Sequence, residues 1–350
     1  MFFASDNTSP AHPKVMQALA DANEGYAMPY GNDPIMDRVR QKIRDLFEAP
    51  EAAVYLCATG TSANSIALAC LCQPWQTVFA HRNSHVEEDE CGAPEFFTGG
   101  AKITLVAGDH AKMDPKALRE ALTFTGRAGV HNVQRGALTL TNTTENGTVY
   151  SVSDVAELAA IAKSFDLPVH MDGARFANAI AATNASPAEM TWKAGVDVLT
   201  FGGTKNGLLG VEAVVLFNPD KAWEFELRRK RGGHLFSKHR YLSAQMEAYV
   251  TDGLWMQLAR QANDAAARLS AGILDIEGAS LMHPTQGNTV FASWPRGGHK
   301  RAHDAGAAYY FWPMDQDLEG PEDELLSARL VCSWCTTSQD VDQFLSLLRG

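Results

Sequence analysis

Three short stretches of this chain carry residue types suited to chemistry on a small anionic molecule. In Cys57-Ala58-Thr59-Gly60-Thr61-Ser62-Ala63-Asn64, small residues link an apolar run to a helical one. A helix N-terminus presents unpaired backbone N–H groups and the positive end of the helix dipole, so Gly60, Thr61 and Ser62 suit a phosphate. Alone, the stretch also reads as an ordinary capped helix. In His170-Met171-Asp172-Gly173-Ala174-Arg175, a carboxylate follows an apolar run. That places it at the C-terminal end of a strand, the edge where open parallel sheets bind ligands. A buried carboxylate there needs a cation. A protonated ring nitrogen of a ligand would serve, and so would Arg175 in a structural ion pair. In Thr200-Phe201-Gly202-Gly203-Thr204-Lys205-Asn206-Gly207, a lysine sits in a glycine-rich turn just after a hydroxyl residue. Such a lysine can be a Schiff-base nucleophile with a phosphate donor beside it, although a lone lysine in a turn is more often solvated surface.

The elements that must hold these residues follow from periodicity. Short apolar runs at 53–58, 77–80, 102–106, 137–141, 168–172, 196–201 and 211–217 read as strands, and helical patterns lie between several of them. Asp33-Pro34 opens a helix whose apolar residues Ile35, Met36, Val39, Ile43, Leu46 and Phe47 keep one face. Ser153 is expected to cap a helix bearing Val155, Leu158, Ala159 and Ala162. This alternation predicts an α/β domain with a mostly parallel sheet. After about residue 249 the texture changes to a long helix at 254–274, strands at 289–294 and 326–334, and a closing helix capped by Ser338. A large domain over residues 1–249, including an N-terminal arm, and a smaller α+β domain over 250–350 are the expectation.

Composition narrows the function classes. A chain of 350 residues exceeds what one core usually fills, so two domains are the default. A net charge of −11 argues against nucleic acid as partner, and the one basic cluster, Arg228-Arg229-Lys230-Arg231, reads first as a solvated helix face. No segment has the apolar length of a membrane span, and the N-terminus lacks the basic and apolar regions of a signal peptide, so a cytoplasmic location is expected. Cys332 and Cys335 have CxxC spacing without a second ligand pair, so no metal site is expected. Cys70, Cys72 and Cys332 read as small buried hydrophobes.

A phosphate cradle, an aspartate at a strand end and a glycine-flanked lysine together meet the needs of a pyridoxal phosphate site. With Tyr30-Gly31-Asn32-Asp33-Pro34 and the pair His85 and Glu90, they make the chain resemble the threonine aldolase branch of the β-eliminating lyases, from Ser5-Asp6 to Leu330. The resemblance implies the fold-type-I architecture of pyridoxal-phosphate-dependent transferases, pyridoxal 5′-phosphate as cofactor, and cleavage of β-hydroxy-α-amino acids to glycine and an aldehyde. The alternatives are another fold-type-I lyase acting by β-elimination, or an aminotransferase. Within the family pattern Lys205 carries the cofactor and Asp172 faces its ring nitrogen. His85 stacks on the ring and moves protons, and Gly60, Thr61 and Thr204 hold the phosphate. Arg175 and Arg329 take the substrate carboxylate, Ser5 and Tyr30 complete the site, and His131 is a second histidine near the substrate hydroxyl. A homotetramer built as a dimer of dimers, with active sites at subunit interfaces, is also implied, Tyr30 reaching a neighbour's site. Two departures stand out. Phe236 replaces the arginine of a turn after the basic helix, leaving Lys238 or Arg240 as the cation for the phosphate or the neighbour, and Glu145 stands where many relatives have histidine.

Overall fold

The computed structural model describes residues 1–350. Seven strands form the main sheet: β1 Ala53–Cys57, β2 Gln76–His81, β3 Lys102–Val106, β4 Gln134–Thr141, β5 Val169–Gly173, β6 Val198–Gly202 and β7 Glu212–Leu216. Their order across the sheet is β1-β7-β6-β5-β4-β2-β3. The pairs β2–β3, β2–β4, β4–β5 and β5–β6 are parallel, while β7 runs antiparallel to β6 and β1. Helices lie between successive strands from β1 to β6, as crossover connections between parallel strands require. The central strands β5, β6 and β7 are buried along their whole length, as strands covered on both faces are.

Register sets one rim of this sheet. Thr141 pairs with Asp172, Asp172 with Thr200, and Gly202 with Glu212, whose other neighbour is Cys57. Residues distant in sequence therefore line one edge, which in open α/β sheets is the ligand-binding edge. The helix Gly60–Leu71 begins at this rim directly after β1.

A second sheet is antiparallel, in the order β10-β11-β9-β8, from β8 Ser280–Leu281, β9 Thr289–Pro295, β10 Tyr310–Phe311 and β11 Leu325–Val331. It packs its own core of Val290, Trp294, Leu330, Phe344 and neighbours. The helix Leu254–Leu274 threads both cores, with Trp255 and Ala259 in the larger one and Ala266, Leu269 and Ile273 in the smaller. The N-terminal arm also joins the smaller core. Phe3 is fully buried there and is tied by its N–H to Ala308 and by its carbonyl to the Val331 N–H.

Two helix caps differ from expectation. Ser151, not Ser153, caps the helix Val152–Lys163, because Ser151 and Asp154 exchange side-chain and backbone hydrogen bonds in a capping box. Thr337, not Ser338, caps the closing helix Ser338–Arg349 through the same reciprocal bonding with Asp340. In both cases a hydroxyl lies one or two residues from its rival, and the acid three residues after the true cap decides. Asp33 does cap the helix Pro34–Leu46, accepting the Met36 N–H at 2.9 Å. Cys57, Cys70, Cys72 and Cys332 are buried as free thiols.

Candidate active site

The rim opens into a cavity of about 390 Å³ lined by Gly60, Thr61, His85, Asp172, Arg175, Thr204 and Lys205, among others. Lys205 lies in the turn Thr204–Asn206, which is pinned from below. The Asn206 amide donates to Tyr249 Oη at 2.7 Å and to the Trp255 carbonyl at 2.9 Å. Lys205 has no carboxylate partner within ion-pair distance. Desolvation, with Arg175 close by, holds its ammonium below the ordinary lysine pKa, so the neutral amine is more accessible than on a surface lysine.

Asp172 is buried, with both oxygens oriented. Oδ1 accepts the Ala174 N–H and Oδ2 accepts the Asn64 amide, each at 2.9 Å. It does not pair with Arg175, whose Nε and Nη2 bind Asp6 at 2.6 and 2.9 Å. Burial pushes the Asp6 carboxyl up, but the Arg175 guanidinium outweighs this and holds it below the usual range. A structural ion pair between Asp172 and Arg175 is thereby excluded, and Asp172 is left facing the cavity without a cation from this chain. Such an oriented buried carboxylate suits a protonated pyridine nitrogen. The same Asn64 amide donates to Glu90 Oε1 at 2.9 Å, and His85 Nδ1 meets that oxygen at 2.9 Å. The bond to Glu90 raises the His85 pKa, while burial raises that of Glu90.

At the other end of the cavity, Thr59 caps the helix Gly60–Leu71 by accepting the Ser62 N–H at 3.2 Å. Ser62 is buried and its hydroxyl donates back to the Thr59 carbonyl at 2.9 Å. Its expected role as a phosphate ligand is therefore corrected: Ser62 belongs to the cap, and Gly60 and Thr61 face the cavity. A Cβ built on Gly60 would meet nothing within 4 Å, so this helix end stands open to a ligand.

Arg329, on β11, makes no ion pair and is not among the residues that line the cavity. Its Nη2 reaches the Ala4 carbonyl at 3.4 Å, its guanidinium lies over Tyr310 and Trp312, and its buried Nε has no hydrogen-bond partner. Burial, reinforced by Arg175, lowers its pKa. Ser5 caps a short turn by accepting the Asn7 N–H at 3.1 Å and is held beside the cavity-lining Asn7, without lining the cavity itself.

Other expected residues are not brought to this cavity by the chain itself. Tyr30 is exposed, with Lys230 over its ring at 4.7 Å and its N–H on the Ser237 carbonyl. The Tyr30 loop and the segment after the basic helix thus pack together, outside the cavity. The basic cluster is not a uniform solvated face. Arg228 pairs with Glu224, and Arg229 is buried with Nη1 on the Leu56 carbonyl. Phe236 and Lys238 are exposed, and Arg240 donates to the Gly25 carbonyl. His131 is placed elsewhere: it is exposed in the turn Gly129–His131, before the N-terminal end of β4. A strand of that length puts it roughly 25 Å from the Asp172 rim.

Two lining carboxyls carried more meaning than the sequence reading drew from them. Glu145 Oε1 accepts the His85 backbone N–H at 2.8 Å, and its buried Oε2 has no partner. Glu212 Oε2 accepts the Gly203 N–H at 2.7 Å. Burial pushes each up to about 7. Glu212 had a visible signal, a lone acid inside the apolar run 211–217.

Comparison with known proteins agrees with this geometry. A family model described as beta-eliminating lyase matches residues 3–294. The chain is 40% identical to a low specificity L-threonine aldolase of Pseudomonas aeruginosa, over 99% of this chain and 96% of that one. It is 38% identical to a low specificity L-threonine aldolase of a Pseudomonas species, over 99% and 97%. A threonine aldolase structure from Leishmania major superposes with a TM-score of 0.90 at 27% identity, over 99% of this chain and 98% of that one. With the family matched over most of its length and a cavity whose donors and acceptors fit the cofactor, the chain belongs to the beta-eliminating lyase family and takes pyridoxal phosphate.

Proposed function

We propose that this protein cleaves L-threonine, L-allo-threonine or related β-hydroxy-α-amino acids to glycine and an aldehyde. The observation that carries the reading is one cavity holding an unpaired Lys205, an oriented Asp172 without a cation, and His85 on a proton network. When bound, pyridoxal phosphate supplies the sink for the electron pair of the breaking Cα–Cβ bond.

The chain's own residues do the rest. Lys205 would hold the cofactor through its amine. Asp172 keeps the ring nitrogen protonated, its two accepted hydrogen bonds leaving the carboxylate nowhere to turn. Gly60, Thr61 and Thr204 hold the phosphate. Arg329 receives the substrate carboxylate in its two-pronged guanidinium, and Arg175, already bound to Asp6, supports that end together with Ser5. His85 commits Nδ1–H to Glu90, which leaves the Nε2 lone pair to take the proton of the β-hydroxyl. Glu145 fixes the backbone of His85 from behind.

Beyond one chain, we read the active unit as a homo-oligomer with interfacial sites, in the form of a homotetramer. The support is the exposed cluster of Tyr30, Tyr26, Met28 and Phe236 beside the basic segment. Residues 1–249 act as arm and large domain, and residues 250–350 as the small one. No helix is long and apolar enough to cross a membrane, and a cytoplasmic setting is part of the same proposal. The deciding experiment is aldehyde release from a panel of β-hydroxy amino acids by the cofactor-loaded protein. Glycine and the matching aldehyde are expected in equal amounts; keto acid and ammonia, or amino-group exchange, would assign it to β-elimination or transamination instead.

A further inference from the structure

Asn64 touches two groups of the site and has no role in the reaction as proposed. It stands in the second turn of the helix Gly60–Leu71, four residues after Gly60 and so on the same face, and like Gly60 it lines the cavity. The residue is buried, and its amide nitrogen has two protons to donate. One goes to Asp172 Oδ2 and the other to Glu90 Oε1, each at 2.9 Å. Its own carbonyl oxygen, Oδ1, is buried without a hydrogen-bond partner. Turning the amide over would set that oxygen against two carboxyl groups, so the neighbours fix the orientation. An unsatisfied buried oxygen costs free energy that an apolar residue in the same place would not incur. What holds Asn64 is its two donors.

The acids it joins crowd one another. Asp172 on β5 and Glu90, just after the helix His85–Glu88, are both buried. An oxygen of each and a ring nitrogen of His85 all lie within 4.8 Å of one another. Two buried carboxylates that close do not both stay ionised unless each is stabilised; otherwise one takes a proton. Burial and Asp172 push the Glu90 carboxyl up, and the bonds from His85 and Asn64 oppose them. The other groups nearby do not replace the amide. Lys205, in the turn after β6, disfavours the charged form of His85. Glu145, after β4, binds the His85 backbone N–H, and the Ser65 hydroxyl reaches Glu90 Oε2 at a long 3.4 Å.

We propose that Asn64 is a positioning residue whose two amide protons let Asp172 and Glu90 stand side by side as carboxylates, one turned to the cofactor's ring nitrogen and the other to His85. The inference rests on the roles of Asp172 and His85 in the proposed function. Without the amide, Asp172 stays ionised against the protonated ring nitrogen, and Glu90 takes a proton from water. A neutral Glu90 no longer favours the imidazolium, so His85 gives up its proton at lower pH.

The test follows the His85 imidazole by NMR in the cofactor-loaded protein, its signal identified by its loss in His85→Phe. Asn64→Leu keeps a branched side chain and has no donors. In it the midpoint of the His85 titration is expected to fall by about one pH unit or more, the scale of losing an opposite charge in contact. Asp172→Asn supplies the second background. With no second anion to oppose it, Glu90 keeps its charge there, and Asn64→Leu is expected to leave the midpoint in place. A packing role would lower the melting temperature alike in both backgrounds and would not move the titration. An unchanged or higher midpoint in Asn64→Leu, or an equal fall in both backgrounds, overturns the proposal. Should Asn64→Leu fail to fold, Asn64→Ser takes its place. One hydroxyl proton cannot serve two carboxylates, so the same fall is expected, and its absence overturns the proposal. The cofactor's absorption in the same samples reads the underlying roles separately: a wild-type protein that takes up no pyridoxal phosphate removes Asp172 from the ring and the proposal with it.

Discussion

Replacing Arg329 with lysine isolates the substrate carboxylate site from the cofactor site. Arg329 makes no ion pair, and the nearest acidic stretch does not supply one, because Glu324 is held by Arg296 at 2.6 Å. Its only hydrogen bond is a long one to the Ala4 carbonyl, and its Nε is buried and unsatisfied. The free structure therefore carries a cost that a bound carboxylate would relieve. Lysine keeps the charge but cannot present two parallel N–H donors, nor lie flat over Tyr310 and Trp312. Losing one charge-assisted hydrogen bond costs about 1.5–3 kcal/mol, or roughly 10- to 150-fold in kcat/KM. An exposed ion pair would be worth only about 0–1 kcal/mol, and its removal would leave kinetics nearly untouched. The assay is aldehyde release with threonine, alongside the cofactor's absorption spectrum as a measure of an intact ring site. The expected result is a low kcat/KM with an unchanged spectrum. Wild-type kcat/KM in this variant would refute the reasoning and move the carboxylate site to Arg175.

Three further outcomes are expected. Asp172→Asn retains the cofactor but loses at least about one to two decades of kcat, since the ring nitrogen then meets a neutral amide in place of a charge-assisted bond of about 1.5–3 kcal/mol; turnover within twofold of wild type would make Asp172 a structural carboxylate. Glu90→Gln removes the partner that raises the His85 pKa. Because His85 acts as a base, activity falls as pH drops through that raised pKa, so the acid limb of the kcat/KM profile should move to lower pH in the variant, and a limb that stays in place would exclude His85 as the titrating base. Asp33→Ala removes a buried cap bonded to the Met36 N–H and to Ser243; thermal unfolding should show a loss of about 1–2 kcal/mol, whereas an unchanged melting temperature would show that the cap adds nothing.

Local sequence carried the features that depend on neighbours in the chain. Lys205 between glycines, Asp172 after an apolar run, and the Gly60–Thr61 helix start each combine a strand end with a turn, and strand ends of a parallel sheet converge on one rim without further information. The long helix 254–274 was legible for the same reason, since its apolar spacing persists over many turns. Where two local bonds compete, nearby residues misled: Ser62 offers its hydroxyl to the Thr59 carbonyl rather than to a ligand, and Ser151 outbids Ser153 through Asp154. Tertiary structure alone decided what depends on distant pairing. Asp6 claims Arg175 across most of the large domain's sequence, which leaves both Asp172 and Arg329 unpaired. The antiparallel register of β7 carries Glu212 to the rim beside Gly202 and Cys57, and the length of β4 holds His131 at the opposite end. An ion pair or a strand register joins residues whose sequence separation carries no periodic signal, so composition and spacing cannot disclose which charges are spent within the chain and which remain for a ligand.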